Sequence, residues 1–471
     1  MKIEQIYTGC LAQGAYYIVS NGEAAIIDPL RETGPYLDRL ERDGVQLKYI
    51  FETHFHADFV SGHLELSQKT GAKIVYGPNA QPDFEFIAAE DRQIFNIGNI
   101  KIKVLHTPGH TMESTTYLLL DEEDNEHAIF SGDTLFIGDV GRPDLAQKAA
   151  SMTQEELAAI LYHSLRTKIM TLPDEVIVYP AHGAGSACGK NMSKETVSTI
   201  GEQKQKNYAL RANMTVEEFV QEVTDGLLPP PPYFGMNVAM NKAGIASFDA
   251  VFKASMKPID ATEFEQIAEE TGALILDTRN SDDFAKGFVP QSINIGINGD
   301  FAPWVGAMIG DVNQPILLVT DSGREEEVVT RLSRVGFDHV LGYLKGGFEA
   351  WKNTGFEFDT VNRISAETFE NEVKVGESKV LDVRKETEYE AEHVEDAFRR
   401  PLANINDWII DLDPNEPFFL HCAGGYRSMI AASILQSRGY RNFKEVAGGF
   451  AAISKTNVPK SNFICQSKVL N

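Results

Sequence analysis

The chain has 471 residues, more than one hydrophobic core normally serves, so length alone predicts about three domains. Acidic residues outnumber basic ones by 68 to 43, and a formal charge of -25 repels phosphate backbones and anionic lipid, which argues against nucleic acid and membrane partners. A hydrophobic content of 43% argues against disorder. No run of about 18 apolar residues is present, and no basic segment leads into an apolar stretch at Met1, so a cytoplasmic protein is expected.

From Met1 to about Pro180, short apolar runs alternate with turn signals: AYYIV, AAIID, LKYIFETH, KIVYG, IKIKVLH, TTYLLL, HAIFSGD and EVIVYP. These are predicted strands. Helical patterns fall between them in GHLELSQKTG and TQEELAAILYHSLRT, the second opened by Thr153 with Glu156 three residues on, a capping-box signature. An α/β sandwich fits. The stretch LLPPPPYFGMN, residues 227 to 237, is predicted to be an extended connector, because four consecutive prolines cannot sit inside a helix or a central strand.

The remainder holds an internal repeat. ALILDTRNSDDFAKGFVPQSINI, from Ala273, answers KVLDVRKETEYEAEHVEDAFRRPL, from Lys379; further on, ILLVTDSGREEEVVTRLSRVGFDHVLGYLKGGFEAW parallels FFLHCAGGYRSMIAASILQSRGYRNFKEVAGGFAAI. Each copy reads strand, loop, helix, strand and a GGF turn, the order of a small α/β domain with a parallel sheet. The expected division is one large domain over 1–230, a linker over 231–256, and small domains over 257–358 and 359–471.

LKYIFETHFHADFVSGH puts His54, His56 and Asp58 at alternating positions just past an apolar strand. TPGHT adds His110, SGDTLF adds Asp133 and YPAHG adds His182, each where a predicted strand gives way to a loop. Imidazoles and carboxylates gathered in this way suit a divalent transition metal. HxHxD, TPGHT, SGDTLF and PAHG, in that order, resemble the metallo-β-lactamase superfamily over about the first 200 residues. That resemblance implies an αββα sandwich with ligands in loops at one sheet edge, as in zinc hydrolases of glyoxalase II type and iron persulfide dioxygenases.

Dinuclear members carry HxHxDH, whereas residue 59 here is Phe, which cannot ligate, so a mononuclear centre is expected. The persulfide dioxygenase pattern maps one Fe(II) onto His54, His110 and Asp133, leaving open positions for O2 and a substrate sulfur. By the same resemblance His56, Asp58 and His182 orient the ligands. If the metal were zinc, His56 would bind it directly and a bound water would attack a thioester.

Arg142, in GDVGRPDL, is a candidate partner for a substrate carboxylate or else an ordinary turn residue. HGAGSACGKN looks phosphate-binding, but Gly183 to Gly189 is one residue too long for GxxxxGK and Asn191 follows Lys190 where Ser or Thr belongs, so no P-loop is expected. Cys188 in that loop is a candidate pocket residue or a buried inert thiol.

The four cysteines, Cys10, Cys188, Cys422 and Cys465, include no CxxC pair and are too sparse for a disulfide framework. FFLHCAGGYRS ends an apolar strand at Cys422 and turns through AGGYR into an apolar helix, a loop whose backbone N–H groups and Arg427 would stabilise a nucleophilic thiolate. This pattern resembles the rhodanese family, whose six-residue loop begins with Cys and ends in Arg; Asp382, Arg384 and His393 resemble its preceding segment. The implied chemistry is sulfur transfer through a persulfide on Cys422. In the first copy Asp321 takes the cysteine position, with Glu325, Glu326 and Glu327 after it, so that copy is expected to be inert and kept for packing or positioning. Cys10 and Cys465 have no supporting neighbours and receive no role.

Together the segments resemble a persulfide dioxygenase-rhodanese fusion. The resemblance implies oxidation of a low-molecular-weight persulfide by O2 to sulfite, with Cys422 exchanging sulfane sulfur between sulfite and thiosulfate. Two other readings remain: a zinc thioesterase with incidental rhodanese domains, and a non-enzymatic sulfur relay or sensor. A symmetric homo-oligomer is expected only because such assemblies are common.

Overall fold

Period-two burial decides the architecture of the first 200 residues. In Thr115–Leu120 every side chain is buried: Tyr117 and Leu119 join one core cluster while Leu118 and Leu120 join another. A strand buried on both faces must lie in an inner layer. The computed structural model, which describes residues 1–227 and 229–464, places it in a six-stranded sheet with Ser198–Thr199, Ile177–Pro180, Glu126–Gly132, Ile100–His106 and Ile94–Ile97. A second six-stranded sheet runs in sequence order from Lys2–Thr8 through Gln13–Ser20, Glu23–Ile27, Gln46–Glu52 and Lys73–Tyr76 to Ile87–Ala88. Cys465 lies outside the described residues.

Tyr16, Ile18, Ile27, Phe51 and Val75 of the second sheet share one core with Ile102, Val104, Tyr117 and Phe130 of the first. The opposite faces are covered by helices: Tyr36, Leu40 and Leu66 against one sheet, and Leu161, Leu165 and Phe219 against the other. The result is the αββα sandwich. The eight strands read from the apolar runs all form, as does the helix His63–Thr70. Thr153 and Glu156 make the expected capping box, with the Glu156 N–H donating to Thr153 Oγ1 at 3.2 Å and the Thr153 N–H donating to Glu156 Oε2 at 2.8 Å.

The connector expected to be extended is partly helical. Beyond the prolines φ is no longer restricted, and Phe234–Ala243 forms a helix whose Asn241 amide donates to the carbonyls of His56 and Phe59, each at 2.8 Å. A second helix, Phe248–Ser255, follows.

The repeat folds twice in the same way. In the first copy the strand order is Pro258–Ile259, Val340–Leu344, Ile316–Val319, Leu274–Asp277 and Ile293–Asn294, all parallel. In the second it is Arg363–Ile364, Phe443–Val446, Phe418–His421, Lys379–Asp382 and Phe398–Arg399, again all parallel. The backbone separates into two units, Met1–Val251 with Leu332–Phe337, and Phe252–Arg331 with Asp338–Asn471. Among the described residues no helix is long and apolar enough to cross a membrane.

Candidate metal centre and sulfur-transfer loop

His54 follows the strand Gln46–Glu52, His110 lies in the turn after Ile100–His106, and Asp133 follows Glu126–Gly132. All three are buried, and one ligand atom from each lies within 4.8 Å of the others. Neighbours fix both imidazoles in one tautomer. Thr53 Oγ1 spends its single proton on Asp28 Oδ2 at 2.9 Å, so at its 3.0 Å contact with His54 it accepts, and Nδ1 of His54 carries the hydrogen. Nδ1 of His110 faces the Arg142 carbonyl at 2.8 Å, and a carbonyl only accepts.

Both Nε2 lone pairs therefore point at Asp133, whose Oδ2 lies 3.8 Å from His54 and 3.5 Å from His110. That oxygen is buried without a hydrogen-bond partner. Two neutral nitrogen donors facing an unpartnered carboxylate oxygen form a set that a divalent cation would complete. Burial, with the charge of His56 next, keeps His54 neutral by pushing its pKa well below the usual value. Gly141 must be glycine for the GDVGRPDL loop to close over this site, since a Cβ there would sit 2.0 Å from the Asp133 carbonyl.

His182 donates Nδ1–H to the other oxygen of Asp133 at 2.8 Å, and its Nε2 lies 2.8 Å from Asp58 Oδ2 as an ion pair. Burial alone would lower its pKa, but the two carboxylates raise it well above the usual value and keep the ring protonated. Asp58, His182 and Cys188 form a second buried group beside the first. Burial and then the charges of Asp58 and Asp133 push the Cys188 thiol up, so it stays a neutral S–H.

His56 turns the other way. Its Nε2 lies 3.1 Å from Asp28 Oδ1 and 3.4 Å from Glu52 Oε2, and its ring stacks on Phe59 at 4.2 Å. Burial opposes charge on this ring, yet the two carboxylates raise its pKa to about 10. A protonated imidazole has no lone pair to offer a metal. As a direct zinc ligand His56 would have to give up one proton and bind through Nδ1, which is buried without a hydrogen-bond partner while Nε2 stays on Asp28.

Arg142 is buried, with its guanidinium against Asp144 at 2.7 Å through both Nε and Nη2 and an Nη1 contact to the Ala187 carbonyl at 3.2 Å. The glycine-rich loop after His182 holds an anion of its own, because Asp139 Oδ2 accepts the N–H groups of Lys190 at 2.7 Å and Asn191 at 2.5 Å.

In the last domain Cys422 directly follows the strand Phe418–His421 and is buried. The Gly425 N–H donates to its Sγ at 3.1 Å, from a left-handed residue (φ +100°) that favours glycine. Ser428 Oγ lies 3.4 Å from Sγ and donates to Glu445 Oε1 at 2.5 Å. Arg427, expected beside the thiol, holds Glu388 through two contacts of 2.6 and 2.8 Å. Arg384 packs its guanidinium on Asp382, while His393 stacks on Tyr389 with Nδ1 bonded to the Tyr389 carbonyl. In the first copy Asp321 is exposed at the cysteine position.

Sequence reasoning missed Asp28, Glu52, Thr53 and Asn241 around the metal residues, and Ser428 and Glu445 around the thiol. Asp28 was discoverable, since it ends the apolar strand AAIID as Asp133 ends HAIFSGD. Asn241 carries no comparable signal, because it comes from a helix some 180 residues away in sequence.

The metallo-beta-lactamase superfamily matches residues 8–182, and the rhodanese-like domain matches 260–354 and again 365–456. Human mitochondrial persulfide dioxygenase ETHE1 is 34% identical over 224 residues, covering 46% of this chain and 78% of the human protein. A hydroxyacylglutathione hydrolase of Tolumonas auensis is 34% identical over 170 residues, covering 35% of this chain and 60% of that one. Among solved structures, a metallo-beta-lactamase from Staphylococcus aureus superposes with a TM-score of 0.65 at 30% identity, covering 73% of this chain and 98% of its own.

Proposed function

Given that the chain belongs to the metallo-β-lactamase superfamily, as an ETHE1-like domain followed by two rhodanese-like domains, we propose that it is a persulfide dioxygenase coupled to a sulfurtransferase. The observation that carries this reading is the pair of neutral Nε2 donors facing the unpartnered Oδ2 of Asp133. His54, His110 and Asp133 would hold one Fe(II), which when bound supplies O2 activation and open coordination positions. Thr53 and the Arg142 carbonyl keep the two rings in the ligating tautomer, and protonated His182 orients Asp133 through its Oδ1. Cys188, a neutral thiol beside Asp58 and His182, lines the substrate side of the pocket in this reading, and Arg142 shapes that side from its pairing with Asp144 rather than by meeting a substrate charge.

The overall conversion is RSSH + O2 + H2O to RSH, sulfite and two protons, with the outer sulfur giving up four electrons to O2. At Cys422, sulfite attacks the outer sulfur of the cysteine persulfide, the S–S bond breaks, and thiosulfate and the Cys422 thiolate result. The cysteine is reloaded when its thiolate attacks the outer sulfur of a second RSSH, breaking that S–S bond and releasing RSH. The Gly425 N–H is placed to stabilise the thiolate leaving group.

Iron rather than zinc is supported by the likeness of the first domain to persulfide dioxygenase ETHE1 and by Phe59, which offers no ligand for a second metal. The coupling is tested by product analysis with a small-molecule persulfide and O2. Wild-type protein should yield thiosulfate, and C422A should yield sulfite in its place. Equal thiosulfate from both would refute the assigned role of Cys422.

A further inference from the structure

The inert rhodanese copy meets the catalytic loop of the active one at an aromatic side chain. Tyr426, four residues after Cys422, donates its hydroxyl to the Gly296 carbonyl at 2.8 Å. Its ring fills the space above two glycines of the inert copy. A Cβ on Gly299 would lie 2.4 Å from Cζ and 2.5 Å from Cε2 of that ring, and a Cβ on Gly296 would lie 3.3 Å from Cε2. The helix that Tyr426 opens is fixed to the same segment farther along, where Ser433 Oγ accepts the Asn294 N–H at 2.9 Å.

The contact runs in one direction. In the inert copy Ile295 and Ile297 donate to the carbonyls of Asp277 and Thr278; in the active copy Arg400 and Leu402 donate to those of Asp382 and Val383. These matched bonds align Gly296 with Pro401 and Gly299 with Asn404. The active copy therefore has no glycine pair to receive a ring, and the aligned loop of the inert copy has Glu325 where the active one has Tyr426. A second tie supports the first. Arg363 pairs with Asp282 of the inert copy and, at 2.7 Å, with Glu445, the carboxylate that accepts the Ser428 hydroxyl beside the Cys422 Sγ.

We propose that the inert copy is a positioning element for sulfur transfer, in which Gly296 and Gly299 form a slot that seats Tyr426 and so fixes the Cys422 loop. Tyr426 is a positioning residue: it holds the loop that presents the Gly425 N–H to sulfur, and touches no reacting atom itself. The idea rests on the reading of Cys422 as a sulfur carrier.

The test uses the full-length protein and four variants: G299A, Y426A, Y426F and the double variant G299A/Y426A. Hydrogen exchange of the loop amides over residues 422–428 reads the slot without reference to activity. Exchange should quicken roughly tenfold in G299A and Y426A, and less in Y426F, which keeps the ring. In thiosulfate-to-cyanide transfer, kcat should fall by up to about a hundredfold in G299A and Y426A with KM for thiosulfate little changed. The double variant should match Y426A alone, since the added methyl has no ring left to displace. Unchanged loop exchange in both single variants, or an equal cost of G299A with and without the ring, would overturn the proposal. If G299A does not fold, Y426A against Y426F decides it: the alanine variant must lose loop protection that the phenylalanine variant keeps. Wild-type protein that transfers no sulfur would instead overturn the reading of Cys422, with loop exchange still deciding the slot.

Discussion

Thr53 bonds Asp28 with its hydroxyl proton and takes the hydrogen of His54 Nδ1, so one buried side chain sets the tautomer of a candidate metal ligand. Replacing it with valine keeps the volume and removes that control. T53V is expected to weaken metal affinity by about 10–100-fold, read by equilibrium dialysis of the metal-free protein, and unchanged affinity would contradict the assignment. His56 makes a prediction of a different kind. Its pKa rises from 6.5 to about 10 on folding, so the folded state favours the protonated ring. The resulting stabilisation is fully present below 6.5 and is lost as the pH rises through about 10. Denaturation of the metal-free protein should show this loss between those values, and H56N should flatten it.

Strand ends carry the candidate metal residues, and this is why so much of the centre is legible in the sequence. An apolar run that stops at His or Asp places a polar side chain at the edge of a buried sheet, as LKYIFETH and HAIFSGD do. What the sequence hides is the partner of each such residue. Asp28 and Glu52 meet His56 only after two strands pair in parallel, and Asn241 reaches the His56 carbonyl from a helix masked by its proline-rich approach. The strand Lys2–Thr8 was also missed, because its half-buried edge position gives KIEQIYT a weak apolar pattern. Phe59 shows how a position that excludes a ligand still serves packing: it is fully buried beneath His56. F59A should cost about 3–5 kcal/mol in chemical denaturation. T153A removes one cap hydrogen bond on the helix Gln154–Ser164 and should cost about 1 kcal/mol with metal content unchanged.

For the molecule as a whole, the proposed function has the duplicated C-terminal fold separate chemistry from support. Both copies keep the buried Arg-Asp pair, Arg279 on Asp277 and Arg384 on Asp382, and both keep the GGF turn, so the frame is common. The loop differs, with Asp321 exposed in one copy and Cys422 buried in the other. The net charge of -25 disfavours polyanionic partners. The most direct measurement is metal content together with O2 uptake on adding a small persulfide to protein purified without air. The ligand geometry predicts about one iron per chain with persulfide-dependent uptake and sulfite or thiosulfate as product. Two zinc ions per chain, no uptake and turnover of a thioester would contradict it.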